Sequence, residues 1–473
     1  MRVSRSRVSG LTVAALLGAM SLALNALPGV SQEPATAAAA AYTARPAVGA
    51  TAGAVVGATR HFGRMTTIDV GRLPTSVAVD QRSGTAWVVN SLDGTVSEIS
   101  ESRQAVITTI KVAASPVDIA ADPKTGTVWV TCLGPFGKPA SDNVVSEISE
   151  ASGKVVATIK VGLVPFGIAA DSRTGTVWVA NTNGYSVSEI SEASRSVVAT
   201  VRTGMDSAPV SVAVDASRGI VWVGKLHYRV LEISEATRSV IAAVKVRPGA
   251  GPYSVNAVAV DPATAVAWVA SDYYNGAGYF SYATAVGTGS RKVLAKVPVP
   301  KAHQYANIAD GIAADPVTGT VWVAENGTNT VTLVSAGTDT VARNLPTGDQ
   351  PVAVAVDPVT GAVWIVNNYD GTVTEYCYSR PTFTSAARIS IASGSRVRFD
   401  ARATGFPIAV MTVSGALPPG VRARVGHGTV DLTGVPAPSA RGKTYRVAIT
   451  ADNGVGTPNG QYVVTQDLVV RVT

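Results

Sequence analysis

Short apolar runs alternate with polar turns along most of the chain, and the alternation repeats in register. Val77-Ala78-Val79 runs into Asp80, a tight turn follows, and a second apolar run carries Trp87. The same unit recurs six more times. All seven tryptophans take part: Trp87, Trp129, Trp178, Trp222, Trp268, Trp322 and Trp364. Seven residues before each stands an aspartate: Asp80, Asp122, Asp171, Asp215, Asp261, Asp315 and Asp357. Between them a glycine usually occupies the position that needs positive φ. After the Trp run come a polar turn such as Asp93-Gly94, a third run Thr95 to Ile99, another turn and a fourth run Val106 to Val112. Four short strands in about 42 residues make one propeller blade. Both faces of such a blade are covered by neighbours, so its runs are apolar without strict alternation, as in Val128-Trp129-Val130. Each Trp reads as a wedge between blades.

The register also predicts how the ring closes. Ile110 and Ile159 lie twelve residues before Asp122 and Asp171, and Ile68 lies twelve before Asp80. Phe62 to Val70 is therefore a fourth-type strand with no blade in front of it. The last unit lacks that strand, because Cys377-Tyr378-Ser379-Arg380-Pro381 departs from the repeat. The N-terminal strand should complete blade 7 and remove both open edges.

Pro351 to Tyr376, PVAVAVDPVTGAVWIVNNYDGTVTEY, resembles the YVTN-type propeller repeat, related to YncE-like and NHL-like propellers. The resemblance covers residues 62 to 377 and implies a scaffold that carries many different roles. Residues 380–473 lose the Asp–Trp register. Their Leu417–Gly420, Gly434–Pro436 and Asn453–Gly456 motifs are similar to bacterial Ig-like, cadherin-like modules. That likeness implies a surface or spacing domain, in some cases a carbohydrate or protein binder. The expected fold is thus all-β: a seven-bladed β-propeller at 62–379 and an immunoglobulin-like β-sandwich at 380–473.

The N-terminus reads as a processing signal. Arg2, Arg5 and Arg7 precede an apolar stretch, Leu11 to Leu27, interrupted at Asn25 and followed by Pro28. Ala37 to Ala41 offers A-x-A cleavage sites. Residues 1–41 are expected to be a signal peptide and 42–61 a disordered linker. The expected location is secreted, extracellular or bound to the cell wall, with no stable membrane insertion after cleavage. An uncleaved anchor is the alternative, weakened by Gly18, Ser21 and Asn25.

Composition narrows the function classes. Only 15% of residues are charged and 46% are hydrophobic, as in proteins of many short strands. The formal charge is +7, close to +5 without residues 1–41, with no Lys/Arg block and no basic–aromatic interleave. Nucleic acid is not an expected partner. The two cysteines, Cys132 and Cys377, fall two blades apart and read as unpaired buried thiols. Glu98, Glu147, Glu189, Glu232 and Glu375 share one third-strand position, and the fourth strands carry Lys111, Lys160, Arg202 and Lys245. A structural ring of ion pairs follows, since solitary buried carboxylates are costly.

Spacing locates the candidate site. From Trp to the third-strand reference position is ten or eleven residues in five blades, but eighteen in blade 2 and seventeen in blade 5. The links after blades 3, 4 and 5 are also lengthened. In an antiparallel blade the second–third loop and the fourth–first link lie at one end, so every insertion decorates one face of the disc. The inserted segments hold Phe136 and Lys138 in blade 2, and Lys225, His227 and Tyr228 in blade 4. They hold Tyr253 before blade 5, Asp272, Tyr273 and Tyr274 within it, and His303, Tyr305, Asn307 and Asp310 before blade 6. Tyrosines interspersed with Asn, Asp and His suit stacking plus hydrogen bonding, the chemistry of glycan or peptide recognition. The leading expectation is a secreted binding module with an extracellular glycan, peptide or protein partner. One rival is a lyase or hydrolase of the lactonase or streptogramin-lyase kind, with His303 as base beside His227 and Asp310. The other rival is a purely structural envelope protein. Asp118, Asn256 and Asp310 fall near the starts of first strands, where carboxylates suit a Ca²⁺ or the capping of turns. No HExxH, Cys/His metal spacing or phosphate-cradling loop is present, so no metal or cofactor is assigned.

Overall fold

The computed structural model describes residues 65–135, 143–227, 229–246, 253–274, 279–299, 309–377, 379–406, 409–426, 428–453 and 463–473. Within them the chain folds as an all-β protein with a seven-bladed propeller and a C-terminal β-sandwich. Blade 1 is a four-stranded antiparallel sheet of Pro74–Asp80, Thr85–Asn90, Thr95–Ser100 and Ala105–Lys111. Five further sheets repeat that order. Blade 7 is composite: Pro351–Asp357, Ala362–Asn367 and Thr372–Cys377 are completed by Met65–Asp69. Ile68 pairs with Val373 and Thr66 with Glu375, so the N-terminal strand closes the ring as its register predicted. The first strand of each blade packs on the first strand of the next, and that of blade 7 packs on that of blade 1.

Local chemistry explains the regularity. The Asp that ends each first strand turns its carboxylate back onto its own turn: in six blades it accepts from the backbone N–H two residues on, as Asp80 does from Arg82, and in blade 4 Asp215 accepts from the Ser217 hydroxyl. Such Asx turns fix the reversal without help from outside. Four residues after the Asp the backbone takes positive φ, from 64° to 72° at the glycines. Blade 5 places Ala265 there instead, at φ 58°. Each Trp is 0–1% exposed and wedges into the next blade: Trp87 packs on Val128 and Val130, and Trp364 on Ala86 and Val88. The interblade core is therefore seven copies of one contact, which is why a register of Asp and Trp suffices to specify a ring.

The expected ring of ion pairs exists with different cations. Lys111, Lys160, Arg202 and Lys245 are exposed and make no ion pair. The bases come instead from the third–fourth turn of the following blade, at a residue with positive φ. Arg195 reaches Glu147 at 2.8 Å, Arg238 reaches Glu189 at 2.7 Å and Arg291 reaches Glu232 at 2.9 Å. Gln104 serves Glu375 in the same way. The turn puts a side chain across the blade boundary, whereas a fourth-strand lysine points to solvent. The equivalent of Arg195 facing Glu98 is Gly153, and burial accordingly pushes the Glu98 carboxyl up. Facing Asp339 the Glu is replaced by Ala285. Charge is thus matched across the boundaries at Glu147, Glu189 and Glu232, and left unmatched at Glu98.

A second set of carboxyls meets at the turn end. Glu150, Glu192 and Glu235 stand against Asp80, Asp122 and Asp171 of the preceding blade. Burial first, and then the facing carboxylate, pushes them up to about 8, 7 and 7. Two carboxyls in such contact share a proton rather than both ionise.

The two cysteines are buried and form no disulfide with each other. Burial pushes the Cys132 thiol up to about 12. In the sandwich, one sheet holds 379–383, 397–406, 429–434 and 421–425, and the other 388–391, 463–472, 444–452 and 410–415. Val430, Leu432, Val447, Ile449, Leu468 and Val470 fill the space between them. Gly420 and Gly434 meet backbone to backbone: a Cβ on Gly434 would lie 2.1 Å from the Gly420 carbonyl. The Leu-Pro-Pro-Gly and Gly-x-Pro motifs are therefore two sides of one close approach.

Candidate functional site

The two ends of the blades differ in chemistry. The end built from Asp–Gly turns is uniform. The opposite end, where the second strand hands over to the third, is uniform only in part. Three residues after the Trp, blades 1, 3 and 7 carry Asn90, Asn181 and Asn367, each fully buried. Asn90 donates to Thr95 and Ser97 at 3.1 and 2.9 Å and accepts from the Gly71 N–H at 3.0 Å. Asn367 repeats this with Thr372, Thr374 and Gly348. Every polar atom of the amide has a partner, and the asparagine ties the third strand to the incoming link. A Cβ on Gly71 would lie 2.5 Å from the Asn90 side chain, which explains the glycine.

Blades 2, 4, 5 and 6 replace this asparagine with Cys132, Lys225, Ser271 and Glu325. These are the blades with insertions or lengthened links. Lys225 is 1% exposed, and its ammonium donates to the Thr203 carbonyl at 2.8 Å and to Asp206 at 2.6 Å. That contact holds Asp206 below the usual carboxylate range, assisted by Arg229 at 3.5 Å. Lys225 therefore fills the structural place of the asparagine.

Glu325 does not. It is 1% exposed, and its Oε1 has no hydrogen-bond partner among the described residues. A carboxyl has at most one O–H to donate, so it cannot hold two third-strand hydroxyls as the amide does. Thr332, the counterpart of Ser97, donates to Asn344 instead. Two more carboxyls stand close. Asp310 lies at the bulge of the blade 6 first strand and accepts from Asn326 at 2.8 Å. Asp272 ends the apolar run of the blade 5 second strand and accepts from Asn256 and Ser281. Burial, then the Asp272 charge, raises Asp310 well above the usual carboxylate range. Burial, then Asp272 and Asp310, does the same for Glu325. The three carboxyls form one coupled group, in which burial and mutual repulsion favour the protonated forms of Asp310 and Glu325. Protonated buried carboxyls both donate and accept, so the group can grip hydroxyls, amides or amines.

Sequence-predicted residues distribute unevenly around this group. Asp272 and Asp310 belong to it. Glu325 was missed, although the series Asn, Cys, Asn, Lys, Ser, Glu, Asn at one repeat position marks it as the acidic exception. Segment 271–274, expected as an inserted loop, is strand. The first three strands of blade 5 each run nine residues, 253–261, 266–274 and 279–287. Tyr253 pairs with Tyr273, Tyr273 with Phe280 and Tyr274 with Tyr279 along the backbone. The insertion therefore lengthens the blade beyond its neighbours. His227 is exposed, and its N–H donates to Ser207 at 2.9 Å. Phe136, Lys138, Tyr228, His303, Tyr305 and Asn307 lie outside the described residues. Asp118 is a wall pin: it accepts from Ser76 of blade 1 at 2.5 Å and from the Ile168 N–H of blade 3 at 3.0 Å. Among the described residues no group of three or more His, Cys, Asp or Glu is arranged to hold a metal ion.

The fold and this group define a propeller whose blades 5 and 6 depart from the common pattern at one end. No protein-family model matches the chain, and no curated protein matches it. Among solved structures it is similar to a chain of hydrazine synthase from Kuenenia stuttgartiensis, with 17% identity and a TM-score of 0.55. The match covers 64% of this chain and 95% of that one. At that identity the likeness is one of fold.

Proposed function

We propose that the chain is an exported, YVTN-type propeller that binds an extracellular glycan, peptide or protein at the loop end of blades 5 and 6. The observation that carries this reading is the Asp272–Asp310–Glu325 group. Asp272 and Glu325 are buried and Asp310 is half-buried, and Glu325 stands where blades 1 and 7 have a fully bonded asparagine. A stability-driven sequence would keep the asparagine, so the group is retained for what it contacts. The inserted Tyr-rich segments border it in sequence and carry the aromatic rings that stacking on a sugar or peptide needs. The sandwich then spaces or docks the propeller.

The test is a glycan and peptide array probed with the mature chain, beside Glu325→Gln, Asp310→Asn and a Tyr273→Ala/Tyr274→Ala/Tyr305→Ala variant. Binding lost in all three variants, with melting unchanged or raised, supports the reading. Binding retained in all three overturns it. A second reading is acid catalysis, because burial favours the protonated forms of Asp310 and Glu325, which then suit general acids, with His303 as the expected base. Lactone or lyase turnover that disappears in Asp310→Asn and His303→Ala would decide for it.

A further inference from the structure

The net charge is distributed unevenly between the domains. Residues 62–379 carry 23 Lys/Arg and 27 Asp/Glu, whereas residues 380–473 carry 11 and 4. Ten of those eleven cations are arginines. The sandwich is thus a basic domain joined to a mildly acidic propeller.

Register shows where the arginines stand. On the sheet of 388–391, 463–472, 444–452 and 410–415, Arg388 pairs with Val469 and Val469 with Arg446. One row further, Ser390 pairs with Arg471 and Arg471 with Thr444. Arg388, Arg446 and Arg471 are exposed, as are Arg441 and Lys443 just beyond that row, where Gly442 bonds to Val472. Among the described residues none of the five makes an ion pair. The acids of this face lie on its other half, Asp467 one row from Arg446 and Asp452 at the far end. The remaining side chains of the rows are Ser390, Ser414, Thr412, Thr444, Thr450, Thr465, Ala448 and Val469, with Val410 and Val463 at the acidic end. No aromatic stands among them. The opposite sheet differs, since there Arg402 is bonded to Asp400 at 3.2 Å and Arg424 pairs in register with Asp431.

We propose that the Arg388–Arg446–Arg471 half of this sheet docks an acidic polysaccharide, a sugar polymer carrying a carboxylate or phosphate on successive units. Strands lie about 5 Å apart and rise about 3.3 Å per residue, so Arg388 and Arg446 are about 10 Å apart and Arg471 about 8 Å from each. That spacing fits anionic groups on successive sugars, each taken by a guanidinium fork. The serine and threonine hydroxyls between the arginines suit sugar hydroxyls. The absence of aromatics removes the stacking that single-stranded nucleic acid requires. It equally removes the apolar anchors of a membrane-bound face. The polysaccharide source follows from the export proposed above, but the site is separate from the propeller group and is tested separately.

The probe is polygalacturonate, with neutral dextran, duplex DNA and anionic phospholipid vesicles as comparison arms, measured with the full chain at 50 and 200 mM salt. The expected result is salt-dependent binding to polygalacturonate and none to dextran. Arg388→Gln/Arg446→Gln/Arg471→Gln should lose at least tenfold in affinity. Its salt slope should fall by about 2, three contacts at about 0.7 each. The control Arg398→Gln/Arg402→Gln/Arg422→Gln on the other sheet should bind within about twofold of the parent, and so should Glu325→Gln in the propeller. Equal loss in both triple variants would mean diffuse attraction and would overturn the proposal. So would stronger binding to DNA or vesicles, or no binding to polygalacturonate at 50 mM salt.

Discussion

The two ends of the propeller blades obey different rules. At the turn end all seven blades use the same device, an Asp whose carboxylate closes its own turn, and four residues later a residue at positive φ. At the loop end blades 1, 3 and 7 share a device, a buried asparagine that ties down the third strand; it is fully bonded in blades 1 and 7, while in blade 3 Asn181 donates to Ser186 and Ser188 and its Oδ1 is left open. Blade 4 substitutes a lysine with its own complete set of partners, and blade 6 a glutamate without one. One end is therefore conservative because each turn is locally complete, while the other tolerates exchange because its partners come from links of variable length. The difference teaches where to look for function: at the exchanged position whose replacement leaves a polar atom unsatisfied.

The comparison can be broken most forcefully at the wedge. Trp178→Ala should cost about 3–5 kcal/mol, since a fully buried indole leaves a cavity between two blades. Urea unfolding checks it, and a loss below about 1 kcal/mol would mean that the blade contacts do not carry the ring. Next comes the loop end itself. Glu325→Asn restores the plain asparagine and should stabilise the propeller by about 1–3 kcal/mol while removing ligand binding. A destabilised Glu325→Asn would show that the glutamate has structural partners.

The turn end gives a smaller, pH-dependent effect. Glu150, Glu192 and Glu235 have folded-state values of about 8, 7 and 7, above the ordinary 4.5. The folded chain thus holds protons that the unfolded chain releases. Their contribution is whole below pH 4.5 and is lost as pH climbs through 7 to 8. Arg82 and Arg173 oppose the shift at Glu150 and Glu235 without reversing it. Melting temperature should therefore fall from pH 5 to pH 9. Changing all three glutamates to Gln should flatten that fall, because an amide donates to Asp80, Asp122 and Asp171 at any pH. Smallest is Gly153→Arg, which supplies the guanidinium that Glu98 lacks. A Cβ at Gly153 meets nothing within 4 Å, and Arg195 already adopts the same backbone conformation. A gain of up to about 1 kcal/mol is expected, the range of half-exposed pairs. It is read best in a double-mutant cycle with Glu98→Gln.

The ring, its closure and the wedge role of tryptophan were legible because they rest on local, repeated chemistry. Seven copies average away the ambiguity of any one strand. The ion-pair partners were not legible in detail. Glu147 finds Arg195 across a blade boundary, and periodicity along a strand does not reveal which turn residue reaches over it. The site was legible in half. Asp272 and Asp310 attracted attention by lying in inserted segments, whereas Glu325 sits in a strand of ordinary length. Only a comparison down the repeat column isolates it. The basic face of the sandwich escaped for a similar reason: its arginines are scattered in sequence and converge through sheet pairing alone.

The composite blade 7 has a consequence for the order of manufacture. Met65 and Tyr376 touch in the finished ring although they are 311 positions apart. At about 5–20 residues per second, a ribosome leaves the first strand waiting about 15–60 s for its partner. During that time blades 1 to 6 can stack, but the circle stays open like a bracelet with its clasp undone. The waiting strand is short and half polar, MTTID, which limits how well it recruits the edge of another chain. Fastening the clasp is then the last act of folding the propeller, and it brings the chain out beside its own beginning.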